Sequence, residues 1–154
     1  MKILVVYYSR TGKTEEVAKK ISKRLKADIE KIIDKKSRKG ILGYISGGKD
    51  AATRKLTKIG KIKNDPEKYD LVIIGTPVWA RTMAPAIRTY LTKNKLKKKV
   101  AFFCTCGSYG IEKTFRHMRE LTNHAEYVAG IGLTSKDLNY DYSDKIEMFT
   151  ESLT

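Results

Sequence analysis

Six consecutive residues, Ser9-Arg10-Thr11-Gly12-Lys13-Thr14, carry three hydroxyls and the start of a helical pattern. Gly12-Lys13-Thr14 is how a nucleotide-binding P-loop ends. That loop also needs a glycine five residues before Gly12, where this chain has Tyr7. A third apolar run closes with Gly75-Thr76, so no aspartate is placed there for the magnesium of a nucleoside triphosphate. A phosphate monoester suits the stretch better. Free N–H groups and the dipole make a helix N-terminus an anion site. Ser9, Thr11 and Thr14 add hydroxyl donors. Capping by Thr11 would explain one hydroxyl but not three.

Two further stretches could meet such a ligand. Thr76-Pro77-Val78-Trp79-Ala80 holds the only tryptophan, four residues past the end of an apolar run at Gly75. An indole there can stack on a flat ring, although it could also simply cover the sheet edge. Cys106-Gly107-Ser108-Tyr109-Gly110 sets a tyrosine between glycines, which let backbone approach a ligand closely. Tyr109 could stack on the ring's other face, or be a plain turn residue. One phosphate, one planar ring between Trp79 and Tyr109, and backbone amides along a polar edge describe a mononucleotide-like molecule with a large ring. FMN meets all three requirements.

These stretches need elements to bring them together. Five short apolar runs recur: Ile3–Tyr8, Ile29–Ile33, Leu71–Gly75, Val100–Cys104 and Tyr127–Leu133. The first, third and fourth are nearly continuous, as strands buried on both faces should be. Between them lie helical stripes: Val17, Ile21, Leu25; Ala86–Leu91 behind Pro85; Ile111, Phe115, Met118, Leu121; and Ile146, Phe149, Leu153. Asp50–Ile59 reads as a weaker helix and Ser37–Lys49 as a long ordered loop before it. Strands alternating with helices predict a three-layer α/β/α sandwich on a five-stranded parallel sheet, order 2-1-3-4-5. Ligands of such sheets bind beyond the carboxyl ends of the strands, where the three stretches fall.

The chain's 154 residues are the size of one domain, expected to span 1–154. The opening apolar run is shorter than a signal-peptide core, and nothing approaches the ~20 apolar residues of a membrane span. A cytoplasmic protein is therefore expected. Cys104 and Cys106 read as small strand-end residues, with no metal-binding cluster around them. His117 and His124 have no metal-spaced partner and are expected at a surface or helix end. The net charge is +15, with 32% charged residues and local density at Lys31–Arg38, Lys55–Lys63 and Lys93–Lys99. No nucleic-acid module accompanies the charge, so nucleic acid is not expected as a partner. A solvated lysine surface, an acidic partner and, as a non-redox alternative, a basic nucleic-acid or membrane-surface binder stay open.

Val5-Val6-Tyr7-Tyr8-Ser9-Arg10-Thr11-Gly12-Lys13-Thr14, with Ala18 and Ile21, closely resembles the phosphate-loop pattern of the flavodoxin family. The family's aromatic-bearing loops after the third and fourth strands resemble Thr76–Ala80 and Cys106–Gly110. The uninterrupted run Tyr127–Thr134 is similar to that of short-chain members. The resemblance implies that Ser9, Thr11 and Thr14 bind the FMN phosphate and that Trp79 and Tyr109 flank the isoalloxazine. It implies an electron carrier between redox proteins. The alternative it allows is an NAD(P)H-dependent quinone or FMN reductase, or a protoporphyrinogen-oxidase-like enzyme, with Arg81 beside an anionic substrate. The family's carriers are usually acidic, whereas this chain is basic, so an acidic ferredoxin- or rubredoxin-like partner is expected. The stretch KGILGYISGGKD also departs from the usual carriers. Other proteins of this fold are less similar. A response regulator needs an acidic pocket, which Tyr7-Tyr8-Ser9 and Gly75-Thr76-Pro77 do not supply. A low-mass tyrosine phosphatase needs arginine six residues after cysteine, where Cys104 and Cys106 have Gly110 and Glu112.

Overall fold

In β1 (Ile3–Tyr7) every side chain is buried. Leu4 and Val6 enter one core cluster, while Ile3, Val5 and Tyr7 enter another. That split is the period-two alternation of a strand covered on both faces. A computed structural model describes residues 1–154. β1, β2 (Asp28–Lys31), β3 (Leu71–Trp79), β5 (Lys99–Cys106) and β6 (Glu126–Thr134) form a parallel sheet ordered β2-β1-β3-β5-β6. This is the expected order 2-1-3-4-5, with one addition. A two-residue strand, β4 (Thr82–Met83), pairs antiparallel with the end of β3.

Helices α1 (Lys13–Leu25) and α6 (Ser143–Glu151) cover one face through Val17, Ile21, Ile146 and Phe149. Helices α3 (Pro85–Lys93) and α4 (Ile111–Leu121) cover the other through Ile87, Tyr90, Phe115 and Met118. A short α5 (Ser135–Leu138) follows β6. At the sheet's centre Gly75 sits between Tyr7 and Phe103 in register. A Cβ on Gly75 would lie 1.9 Å from Phe103 Cζ, so glycine there makes room for the ring.

The stretch expected as a loop, Ser37–Lys49, is mostly helix. α2 runs from Gly40 to Ala52. Its small residues Gly43, Gly47 and Ala51 recur at i, i+4 and i+8 and face inward, whereas Ile41, Leu42, Tyr44 and Ile45 are exposed, Leu42 at 82%. The pattern is inverted, so no inward apolar stripe announces the helix. A Cβ on Gly43 would lie 2.1 Å from the Arg38 carbonyl carbon, and one on Gly47 2.8 Å from the Trp79 ring. The expected helix at Asp50–Ile59 is correspondingly absent beyond Ala52. Arg54 turns into the left-handed region at φ 56°, ending α2. The chain then pairs with the segment after β2: Lys35 N–H donates to Lys58 O at 2.9 Å and Gly60 N–H to Ile33 O at 2.8 Å.

A buried ionic clip holds α2 in place. Arg38 Nε donates to Asp34 Oδ2 at 3.0 Å and Arg38 Nη1 to Asp50 Oδ2 at 2.7 Å. Lys36 Nζ reaches the same Asp50 oxygen at 3.0 Å. Burial opposes ionisation of Asp50, but the hydrogen bonds from Arg38 and Lys36 outweigh it and hold the carboxyl below its ordinary value. His117 corrects another expectation. It is buried on α4 with Nδ1 2.8 Å from Thr82 Oγ1, while His124 is exposed.

Candidate functional site

The loop after β1 turns into α1 through Gly12, whose φ of 97° favours glycine. The first intrahelical bond runs from Glu16 N–H to Gly12 O. The amides of Lys13, Thr14 and Glu15 therefore open the helix without intrahelical acceptors. Ser9 Oγ accepts from Gly12 N–H at 3.0 Å. Thr14 is buried at the loop's floor, its Oγ1 2.8 Å from Thr105 Oγ1 on β5. Thr11 is exposed, and its hydroxyl has no partner within the chain. Arg10 turns towards α2: Nε donates to Arg38 O at 2.7 Å and Nη2 to Gly40 O at 3.1 Å, with Tyr44's ring 5.7 Å away. Glu15, the acidic residue closest to these amides in sequence, is balanced by its neighbours. Tyr7 Oη donates to it at 2.6 Å and Lys31 Nζ lies 3.1 Å away, which lowers its pKa.

Trp79 stands at a different place from the one expected. β3 continues through it, so it ends a strand rather than standing on a loop beyond one. Its half-buried ring meets Tyr8 edge-on at 5.6 Å and lies against Gly47 of α2. The chain reverses through Ala80 and Arg81, both left-handed at φ 50° and 61°, as a two-residue hairpin turn demands. Neither is glycine, asparagine or aspartate, and each costs about 1–2 kcal/mol in that region. Thr76 faces inward and locks this hairpin: its Oγ1 donates to Pro77 O at 2.8 Å and accepts from Ala84 N–H at 3.0 Å. After β5, Gly110 caps α4 at φ 101°, and a Cβ there would lie 3.0 Å from Val78 and 3.1 Å from Arg81.

Two adjoining clefts, sharing Tyr44, Val78 and Ala80, open at this edge of the sheet; the first loop reaches them through Arg10 alone, and Ser9, Thr11–Thr14, Thr76 and Pro77 line neither. One, of about 310 Å³, is lined by Arg10, Tyr44, Ile45, Gly48, Lys49, Val78, Trp79 and Ala80. The other, of about 400 Å³, is lined by Tyr44, Val78, Ala80, Arg81, Cys106, Gly107, Ser108 and Tyr109. Both volumes suit a small-molecule site. Trp79 and Tyr109 thus line different clefts, and Tyr44 belongs to both. Tyr109 is 65% exposed, with the Arg81 guanidinium 5.0 Å from its ring centroid. Burial pushes the Cys106 thiol up, so it stays protonated at neutral pH and is no nucleophile. Tyr44 escaped sequence reasoning because its helix was read as a loop. The i, i+4, i+8 spacing of Gly43, Gly47 and Ala51 is the signal that could have found it.

The sequence profile described as flavodoxin matches residues 2–148. Among curated proteins no sequence matches. A flavoprotein from Lactobacillus acidophilus NCFM, solved in complex with FMN, is 24% identical over 90% of this chain and 96% of its own, with a TM-score of 0.74. A Bacteroides eggerthii protein ascribed to the flavoproteins is 23% identical over 97% and 96%, with a TM-score of 0.80. A flavodoxin of the pneumococcal strain TIGR4 is 17% identical over 99% and 97%, with a TM-score of 0.63.

Proposed function

The chain belongs to the flavodoxin family, and we propose that it is an FMN-binding electron carrier, acting in the cytoplasm as one domain over residues 1–154. One observation supports the reading: the open N-terminus of α1, entered through left-handed Gly12, follows β1 at the same carboxyl edge of the parallel sheet where Arg10, α2 and the ends of β3 and β5 wall two aromatic-lined clefts. Donors for an anion and flat apolar walls for a ring lie at one edge of the sheet, as FMN requires. The residues proposed for the phosphate are Ser9 to Thr14. Their amides and the Ser9 and Thr11 hydroxyls make the contacts, while Thr14 holds the loop floor to Thr105. Those proposed for the ring are Thr76–Ala80 and Cys106–Gly110, joined by Tyr44. Arg10 acts by fixing the start of α2, and so sets where Tyr44 stands.

FMN supplies reversible redox chemistry when bound. The protein's part is to bind, orient and partly exclude water. The partner proposed is an acidic redox protein. Arg10, Lys36, Lys39, Lys49 and Arg81 gather near the clefts, while Lys95, Lys97, Lys98 and Lys99 group around clefts with Pro66 and Met1, away from these loops. The first group can steer such a partner. Arg81, exposed at the lip of the second cleft, favours a second reading, an FMN-dependent reductase taking an anionic substrate. Steady NADPH consumption with a quinone, or protoporphyrinogen oxidation, would support that reading over the carrier.

The test is a titration of the purified protein with FMN and with riboflavin, read by Trp79 fluorescence. Two charge-assisted hydrogen bonds lost with the phosphate predict at least about hundredfold weaker riboflavin binding. Equal affinities would overturn the assignment of the first loop.

A further inference from the structure

Arg88 of α3 is 7% exposed and has no carboxylate within ion-pair distance. Its Nη2 donates to Thr82 Oγ1 at 3.0 Å, its Nε is buried with no partner, and its Nη1 makes no hydrogen bond within the chain. Because Arg88 can only donate, Thr82 Oγ1 accepts from it, which leaves the hydroxyl proton free to donate to His117 Nδ1. With that bond so directed, His117 carries its proton on Nε2, and Nε2 makes no hydrogen bond within the chain. Burial lowers the His117 pKa, and the nearby charges of Arg54, Arg88 and Lys113 lower it further. Arg54 likewise depresses Arg88. Glu120, one turn along α4, opposes both effects but forms no ion pair with either. Arg88 and His117 thus share Thr82 at the seam of α3 and α4 with no ion-pair partner, and Arg54 adds positive charge nearby. A buried unpaired cation is among the most costly arrangements in a fold, and an anion relieves it.

We propose that the seam where α3, α4 and β4 meet, beside the segment after α2, is an oxyanion site in which Arg88, His117 and Arg54 receive a phosphate or phosphate ester. The free Nη1 of a planar guanidinium, an imidazole N–H and a second exposed guanidinium match a tetrahedral anion's several acceptors. The site is distinct from the open end of α1. It lies beside the hairpin, since Thr82 pairs with Trp79 in register. An anion held there would stiffen the arm that carries the candidate ring contacts.

The chain has two histidines, so proton NMR resolves both. His117 and His124 should be titrated by pH with FMN saturating, in sodium chloride and then with inorganic phosphate at equal ionic strength. Phosphate should raise the His117 pKa saturably and leave exposed His124 still. Arg88→Gln should abolish the shift. Should that variant fold poorly, Arg54→Ala, on the surface, should weaken phosphate by about tenfold, the loss of one charge-assisted hydrogen bond. A second arm with adenosine 2′,5′-bisphosphate identifies the source. Tighter binding than phosphate assigns the site to a nucleotide, and equal binding assigns it to free phosphate. A His117 signal that moves no more than His124, in wild-type protein with either probe, would overturn the proposal.

Discussion

Replacing Asp50 by alanine removes one jaw of the clip that holds α2 without disturbing helix propensity. Side-chain exposures are 2% for Arg38, 2% for Asp34 and 9% for Asp50, so the charges are out of water. Removing one member of a buried ionic group costs about 3–5 kcal/mol. Arg38 keeps Asp34 here, which places the loss near the lower end, about 3 kcal/mol. For a chain of 154 residues each kcal/mol moves the melting point by about 2–4 °C, so Tm should fall by about 6–12 °C. The assay is thermal and urea unfolding followed by circular dichroism and by tryptophan emission. Trp79 is the only tryptophan and lies against Gly47, so its emission should shift to the red where α2 loosens. The pH dependence has a definite sign. Asp50's folded pKa is depressed, so its stabilisation is present above the unfolded value near ~3.9 and disappears as pH falls through the folded one. The difference between wild type and Asp50→Ala should be full at neutral pH and shrink in acid below that value. A Tm within about 2 °C of wild type, or a deficit that persists unchanged in acid, would refute the reasoning. Lys36→Ala is the control: its ammonium is half exposed, and it should cost at most about 1 kcal/mol.

Gly75→Ala should lower the urea midpoint by the equivalent of about 1–3 kcal/mol, because its methyl meets the Phe103 ring within a close-packed sheet. A neutral result would mean the ring has room to move. Ala80→Gly should instead stabilise by about 0.5–1 kcal/mol, since relief at φ 50° exceeds the added chain entropy; a lower midpoint would place the residue outside the left-handed region. Tyr44→Ala should weaken FMN with the melting point of the FMN-free protein unchanged, because the ring is exposed and lines both clefts. Unaltered affinity would remove Tyr44 from the ring site.

The sheet was legible because β1, β3 and β5 are buried on both faces, which leaves long apolar runs such as Leu71–Ile74 with no polar interruption. The turn from β1 into α1 was legible for a similar local reason: glycine and hydroxyl residues occupy the few positions where a strand turns into a helix. What escaped depends on partners distant in sequence. α2 hides its glycines and shows its large side chains, so periodicity pointed the wrong way. The hairpin lacks turn residues, since Ala80 and Arg81 accept strain that Thr76 and the Val78–Met83 pairing fix in place. Trp79 was identified, but its wedge between Tyr8 and Gly47 and its separation from Tyr109 are tertiary facts. His117 is buried because Thr82 and Arg88 meet it across the fold.

The inverted face of α2 also reverses the usual map of mutational tolerance. On an ordinary amphipathic helix the inward positions accept a range of apolar residues and the outward ones accept almost anything polar. Here Gly43 and Gly47 accept nothing larger without moving a backbone carbonyl or an indole, while Ile41, Leu42, Tyr44 and Ile45 meet no such barrier. A saturation library of this segment should therefore show two near-invariant glycines inside a stretch that drifts freely in size and polarity. The outer face can be rewritten without renegotiating the fold beneath it, so what constrains Tyr44 and Ile45 is the cleft they line.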